Sequence, residues 1–234
     1  MTEGGKSGSV CPRKGLFISF EGTEGSGKTT QVGILIERLE TLGYTVARNQ
    51  EPGGTSIGRQ IRRALLDPEN FEMTAMTELL LMFASRVQAA TELIEPALER
   101  GEIVVSDRFT DSSLAYQGAA RGLGFDKVMA AHALALGGLF PELTIWIDVD
   151  VEQGLARAIG RNAQRSMEEL SEARIDRQPA AFHKKVRDGY ARIAADEPRR
   201  FRTIDGNADI TTVAERVWRE VDTRLPPIES KVTQ

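Results

Sequence analysis

The chain has little of what most special chemistries need. Its 234 residues include one cysteine, Cys11, and two histidines, His132 and His183. A lone thiol excludes an intrachain disulfide framework and fits a reducing compartment. The histidines have no partner visible in sequence and read as structural or surface residues. No apolar run approaches the roughly 20 residues of a membrane-spanning helix. Neither charge sign dominates: 30 Lys and Arg stand against 34 Asp and Glu, a net charge of −4. That balance argues against a broad surface for nucleic acid or anionic lipid, so any affinity for phosphate must be local. Aromatics make up only 6%; Trp146 reads as core and Trp218 as packed on a helix face. The first 14 residues are rich in Gly and Ser and lack the apolar core of a signal peptide. They predict a flexible tail, 1–14, as Pro226-Pro227 predicts another over 226–234. Together these absences predict a cytoplasmic protein. No internal repeat is visible.

What remains is ordinary globular composition, 41% hydrophobic and 27% charged, at a length that suits one α/β domain or at most two. Within it stands Gly22-Thr23-Glu24-Gly25-Ser26-Gly27-Lys28-Thr29. The spacing G-x-x-x-x-G-K-[ST] is matched at every position. An apolar run, Leu16–Phe20, leads in, and an amphipathic stretch from Lys28 to about Leu42 leads out. Strand, glycine turn and helix are the context the motif requires. The glycines bring backbone N–H groups close to phosphate oxygens at a positive helix end. Lys28 reaches the outer phosphates, and Thr29 offers a hydroxyl to Mg²⁺.

Strands and helices alternate along the rest. Further strands are predicted at Tyr44–Arg48, Glu102–Asp107, Leu143–Asp148 and Phe201–Ile204. Helices are predicted over about 56–66, 74–99, 126–136, 151–159, 179–195 and 210–225. A polar stretch separates Asp107-Arg108 from the helix at 126. The pattern predicts an α/β fold with a parallel sheet covered on both faces. Ligands of such sheets sit at the carboxyl ends of the strands, where the Gly22 loop, the Glu51-Pro52-Gly53-Gly54-Thr55 turn and Asp107-Arg108 all fall.

Other residues carry two readings each. Asp107 either holds Mg²⁺ through water or caps a helix. Arg108 beside it is placed to clamp a second phosphate. Phe83 and Arg86, helix neighbours with Met82, suit a nucleobase, or they are a core Phe and a solvated Arg. Ser113, Tyr116 and Gln117 share helical spacing: Ser and Gln can read a base edge, and Tyr can pack on a sugar. Arg157, Arg161, Arg165, Arg174 and Arg177, interleaved with acids, make either a solvated helix or a lid whose arginines close over phosphates.

In combination these segments resemble the bacterial thymidylate kinases. The matching pieces are Phe20–Thr30, Glu51–Thr55, Ser85-Arg86, Asp107-Arg108-Phe109, Ser112–Gly118, Asp148-Val149 and Arg174-Ile175-Asp176, in family order over about Gly15 to Arg224. The resemblance implies a P-loop NTPase-type fold with a parallel five-stranded sheet. It implies one kinase domain, 15–225, with a lid at about 160–178. It implies transfer of the γ-phosphoryl group of ATP to dTMP with Mg²⁺, in dTTP biosynthesis, by a homodimer. Gly22, Thr23, Glu24, Gly25, Ser26, Gly27, Lys28, Thr29 and Thr30 would then hold ATP, and Thr29 and Asp107 the metal. Glu24 would also face the deoxyribose 3′-hydroxyl. Arg62 and Arg108 would grip the dTMP phosphate near Glu51, Pro52 and Tyr116. Arg86 would bond thymine, an aromatic just before that arginine would stack, which leaves Phe83 or Met82 to face the base, and Ser113 and Gln117 would read its other edge. Arg174 would be the lid arginine that bridges the two nucleotides, joining Lys28, Arg108 and Glu24 as the catalytic set. Three positions depart from the family. Phe83 precedes Arg86 by three residues rather than four, the place of Met82; Gln50 stands where Arg is common; and Ala173 stands where Asp or Asn is favoured.

Overall fold

The structure, a computed structural model, describes residues 15–162, 174, 175 and 177–227. Five parallel strands form one sheet in the order β2-β3-β1-β4-β5. They are β1 (Leu16–Glu21), β2 (Val46–Gln50), β3 (Ile103–Asp107), β4 (Leu143–Asp148) and β5 (Phe201–Asp205). The central strand β1 is buried along its whole length, as a strand covered on both faces must be. Its residues alternate between layers. Leu16, Ile18 and Phe20 face α1 (Lys28–Thr41) and the C-terminal helix α9 (Ile210–Asp222), where Val32, Leu35, Leu39, Val213, Val217 and Val221 meet them. Phe17 faces the other way, onto Ile94, Leu98 and Phe109.

The second layer holds α2 (Ser56–Leu66), α3 (Ala75–Ala89), α4 (Glu95–Glu99), α5 (Thr110–Ser113), α6 (Phe125–Leu136), α7 (Val151–Asn162) and α8 (Ala180–Asp196). The helix predicted over 74–99 is interrupted by a π-helical turn, Ala90–Ile94, just before Pro96. Proline has no N–H for an α-helical bond, and the wider turn accommodates that loss. Strand β2 begins two residues later than predicted. Tyr44 completes the exit from α1 instead, its N–H donating to the Leu39 carbonyl at 3.1 Å, while its hydroxyl donates to the Pro226 carbonyl at 2.8 Å.

The polar stretch after Arg108 is a correction of another kind. It is helical through α5 and a π-helical segment, Leu114–Ala120, and it is mostly buried. Its polar side chains can be buried because each has a partner. Asp111 receives both amino groups of Arg200 at 2.7 and 2.9 Å. Ser112 donates to Glu21, and Ser113 accepts from Arg86. No described helix is long and apolar enough to cross a membrane.

Candidate active site

At the carboxyl end of β1 the chain turns through Gly22, Gly25 and Gly27, with φ of 148°, 70° and 90°. Gly25 has no substitute here: a Cβ would lie 1.9 Å from the Gly154 carbonyl oxygen of α7. The loop delivers Lys28 into α1 with its Nζ folded over the loop, 2.9 Å from the Gly22 carbonyl and 3.0 Å from that of Thr23. Burial, then the nearby Arg108 charge, lower the Lys28 pKa to about 8, against the pull of Asp107, Glu24 and Glu21. The Thr29 hydroxyl donates to Asp107 Oδ2 at 2.8 Å, tying the phosphate loop to the end of β3.

Arg108 follows Asp107 with φ 76°, the one positive φ outside glycine among the described residues. An arginine in the left-handed region is strained, and such outliers cluster at functional sites. The turn throws its guanidinium back over the cleft. There it donates to Glu24 at 3.0 Å and Ser112 at 3.1 Å, lies 3.3 Å from the Tyr190 hydroxyl, and stacks 4.9 Å above the Tyr116 ring. Burial alone would weaken its charge, but Tyr116, Tyr190, Glu24 and Glu21 raise its pKa further. Glu24 also accepts the Tyr116 hydroxyl at 2.8 and 2.9 Å, and His183 Nδ1 lies 3.1 Å from its Oε2. Burial opposes ionisation there, yet His183, Arg108 and Lys28 bring the Glu24 pKa down to about 2.

The far wall is built around Arg86, which is 1% exposed on α3. It pairs through Nε with Glu51, and it donates to Ser113 Oγ at 3.1 Å and to the Phe109 carbonyl at 3.0 Å. Burial raises the Glu51 pKa, and Arg86 and Asn49 oppose that rise. Gln117 donates to Glu78 at 2.8 Å, and Arg62 donates to the Pro52 carbonyl at 2.8 Å.

One cleft joins the two walls. Residues 24–30, Asp107 and Arg108 line it on the phosphate-loop side. Glu51, Pro52, Arg62, Arg86, Ser113, Tyr116 and Gln117 line the other. Gly22 and Thr23 are buried and do not line the cleft.

Two expected residues are placed elsewhere. Met82, not Phe83, lines the cleft. One step along α3 turns Phe83 into the core, where its ring lies under Arg86 and edge-on to His132. Arg174 is also turned away from the cleft. It is 4% exposed, its Nη2 is 2.7 Å from Glu78, its Nε donates to the Leu65 carbonyl, and its N–H donates to Leu66 O at 3.1 Å. Glu78 has no exposed surface and needs cations beside it; Arg121 supplies the second at 3.1 Å. The side chains of Arg161 and Arg165, and the middle of the expected lid, lie outside the described residues.

Glu78, Tyr190, Glu21 and His183 are parts of the site that sequence reasoning missed. Glu78 and Arg174 are 96 residues apart, with nothing local to link them. Tyr190 and His183 did leave a trace: they recur with Val186 and Ile193 at helical spacing on the buried face of α8.

The sheet order and the loop between β1 and α1 define a P-loop NTPase of the nucleotide-kinase type. The chain belongs to the thymidylate kinase family: the family model "Thymidylate kinase" matches residues 20–217. A thymidylate kinase of Pelobacter propionicus is 47% identical over 210 residues, covering 88% of this chain and 94% of that protein. One from Caldanaerobacter subterraneus is 44% identical over 212 residues, covering 91% and 97%. A crystal structure of thymidylate kinase from Ehrlichia chaffeensis superposes with a TM-score of 0.70 at 31% identity, covering 89% of this chain and 98% of that one.

Proposed function

We propose that the cleft holds ATP and dTMP end to end, with the residues above in specific roles. The reaction is transfer of the γ-phosphoryl group of ATP to dTMP, giving dTDP and ADP. The observation that carries the role assignment is the convergence of two cation sets on one cleft. Lys28, with residues 25–30 of the loop, makes the first set; Arg108 beside the loop, with Arg62 and Arg86 on the facing wall, makes the second. A P-loop switch needs only the first set. The second suits a phosphorylated acceptor with a base to read.

In this reading Lys28 neutralises charge on the transferred group and Arg108 holds the acceptor phosphate. Arg86 bonds the thymine ring, Met82 packs against it, and Ser113 and Gln117 border it. Glu24 receives the sugar 3′-hydroxyl. Thr29 and Asp107 fit Mg²⁺: a hydroxyl and a carboxylate joined at 2.8 Å are hard oxygen donors, and Mg²⁺ takes its remaining ligands from water and phosphate. Bound there, the metal would offset the negative charge of the phosphates. Nothing here calls for nucleic acid or a membrane, and the cytoplasm is where these substrates meet the enzyme.

The working unit is a homodimer. Support comes from α3 and α6, which pack together and present Met76, Leu80, Met129 and Leu134 to solvent. Exposed apolar side chains on two packed helices suit an interaction surface.

Release of ADP measured with dTMP, dUMP, dCMP, AMP and GMP tests the assignment. The expected order puts dTMP first and dUMP close behind, since one methyl group is worth about 0.8 kcal/mol. The purine nucleotides should fall far below, because they leave buried polar groups unpaired. AMP or GMP turning over as well as dTMP would refute the acceptor assignment.

A further inference from the structure

We infer that His183 is a positioning residue for the acceptor sugar, its Nδ1–H fixing the Glu24 carboxylate in the orientation that receives the 3′-hydroxyl of dTMP. The inference rests on the role given to Glu24 above. His183 lies near the start of α8 and has no exposed surface. An imidazole in such a place loses hydration that a leucine or phenylalanine would not lose. Among the described residues Glu24 is the acid paired with it, with Nδ1 at 3.1 Å from Oε2. Neither ring nitrogen makes a well-aligned hydrogen bond, and contacts of this kind tighten when the substrate completes the site. With the proton on Nδ1, Nε2 remains a bare acceptor and no second N–H is buried without a partner.

Donor count supports the same conclusion. An ionised carboxylate offers about four acceptor positions. Arg108 reaches Oε1, the Tyr116 hydroxyl lies between both oxygens, and His183 faces Oε2. These three groups come from the end of β3, the π-helical segment and α8, so they fix the carboxylate from three directions. One position is left for a hydroxyl. Without His183, Oε2 has no partner on the α8 side, and the long Glu24 side chain can swing toward Arg108. His183 is also, after burial, the leading group acting on Glu24 ionisation.

The experiment compares kcat/KM for dTMP with that for its 3′-deoxy analogue in purified variants of the full chain. The wild-type enzyme should favour dTMP, and Glu24→Gln should remove that preference. His183→Leu should cut it on the order of tenfold, the penalty expected for a misplaced positioning group. His183→Asn puts an amide nitrogen where Nδ1 was and should keep most of the preference. His183→Gln puts one where Nε2 was and should not. A merely structural histidine would depress both substrates alike and leave their ratio unchanged. An unchanged ratio in both His183→Leu and His183→Gln overturns the inference. If His183→Leu does not fold, the Asn and Gln variants decide it alone. An unchanged ratio in Glu24→Gln would instead show that Glu24 does not meet the 3′-hydroxyl, and both readings would fall.

Discussion

Lys28 holds the carbonyls of Gly22 and Thr23 with the ammonium that the proposed role brings to the γ-phosphate. Its burial makes it costly to keep charged, and the acids of the cleft recover part of that cost. An ammonium held this way is preorganised for charge that develops in the transition state. Lys28→Ala should therefore lower kcat on the order of 10²–10³-fold, the effect of removing one such donor. Circular dichroism should show the fold intact, and ADP release should stay below roughly a tenth of wild type; more activity than that contradicts the role. Glu24 makes a prediction in pH. Its folded pKa, about 2, lies below the ordinary 4.5. A depressed carboxylate contributes stability above its unfolded value and loses it as pH falls through the folded one. Urea unfolding followed from pH 6 down to about pH 3 should show wild type losing more stability than Glu24→Gln, by up to about 2 kcal/mol. Parallel curves would mean that Glu24 is not held as its contacts indicate.

At the scale of elements, Arg174 ties the chain at the end of the expected lid to α2 and α3. Its bonds go to the carbonyls of Leu65 and Leu66 and to Glu78. Removing one partner of a buried ion pair costs about 3–5 kcal/mol. In a chain of this size that is a fall in Tm of roughly 6–20 °C. Arg174→Ala should show it, softened by the remaining Arg121–Glu78 pair. A drop in kcat at unchanged Tm would restore Arg174 to a role over the phosphates. This is also the scale at which the sequence was least legible. The five strands, the phosphate loop and most helices were readable because apolar periodicity and glycine spacing are local signals. The burial of Asp111, Ser112 and Ser113 was not, since it depends on Arg200, Glu21 and Arg86, far away in the chain. The facing of Met82 and Phe83 turned on a single helical step of about 100°. The helical spacing of His183 marks its burial but not its contact with Glu24, 159 residues away.

At the scale of the molecule, α3 and α6 leave Leu80 at 58% exposure and Leu134 at 91%. Burying a leucine contributes roughly 1.5–3 kcal/mol. A two-fold interface is self-complementary, so each such residue counts once per protomer and every substitution acts twice. Two leucines thus carry a substantial share of the affinity of a dimer of ordinary size, and a buried unpaired carboxylate at each place would oppose association strongly. In the proposed dimer, wild type should sediment as a dimer at micromolar concentration and the double variant Leu80→Glu/Leu134→Glu as a monomer. Its far-UV spectrum should match wild type, because both side chains are mostly exposed in the isolated chain. The cleft lies at the carboxyl ends of β1 and β3, yet Arg86 and Met82 reach it from α3 itself. A helix fixed on its outer face by a second copy holds the base-reading wall more rigidly. Dissociation should therefore raise KM for dTMP more than KM for ATP, whose phosphates meet the loop before α1. A double variant that remains dimeric would remove α3 and α6 as the interface, and equal changes in both KM values would break the link between assembly and the base wall.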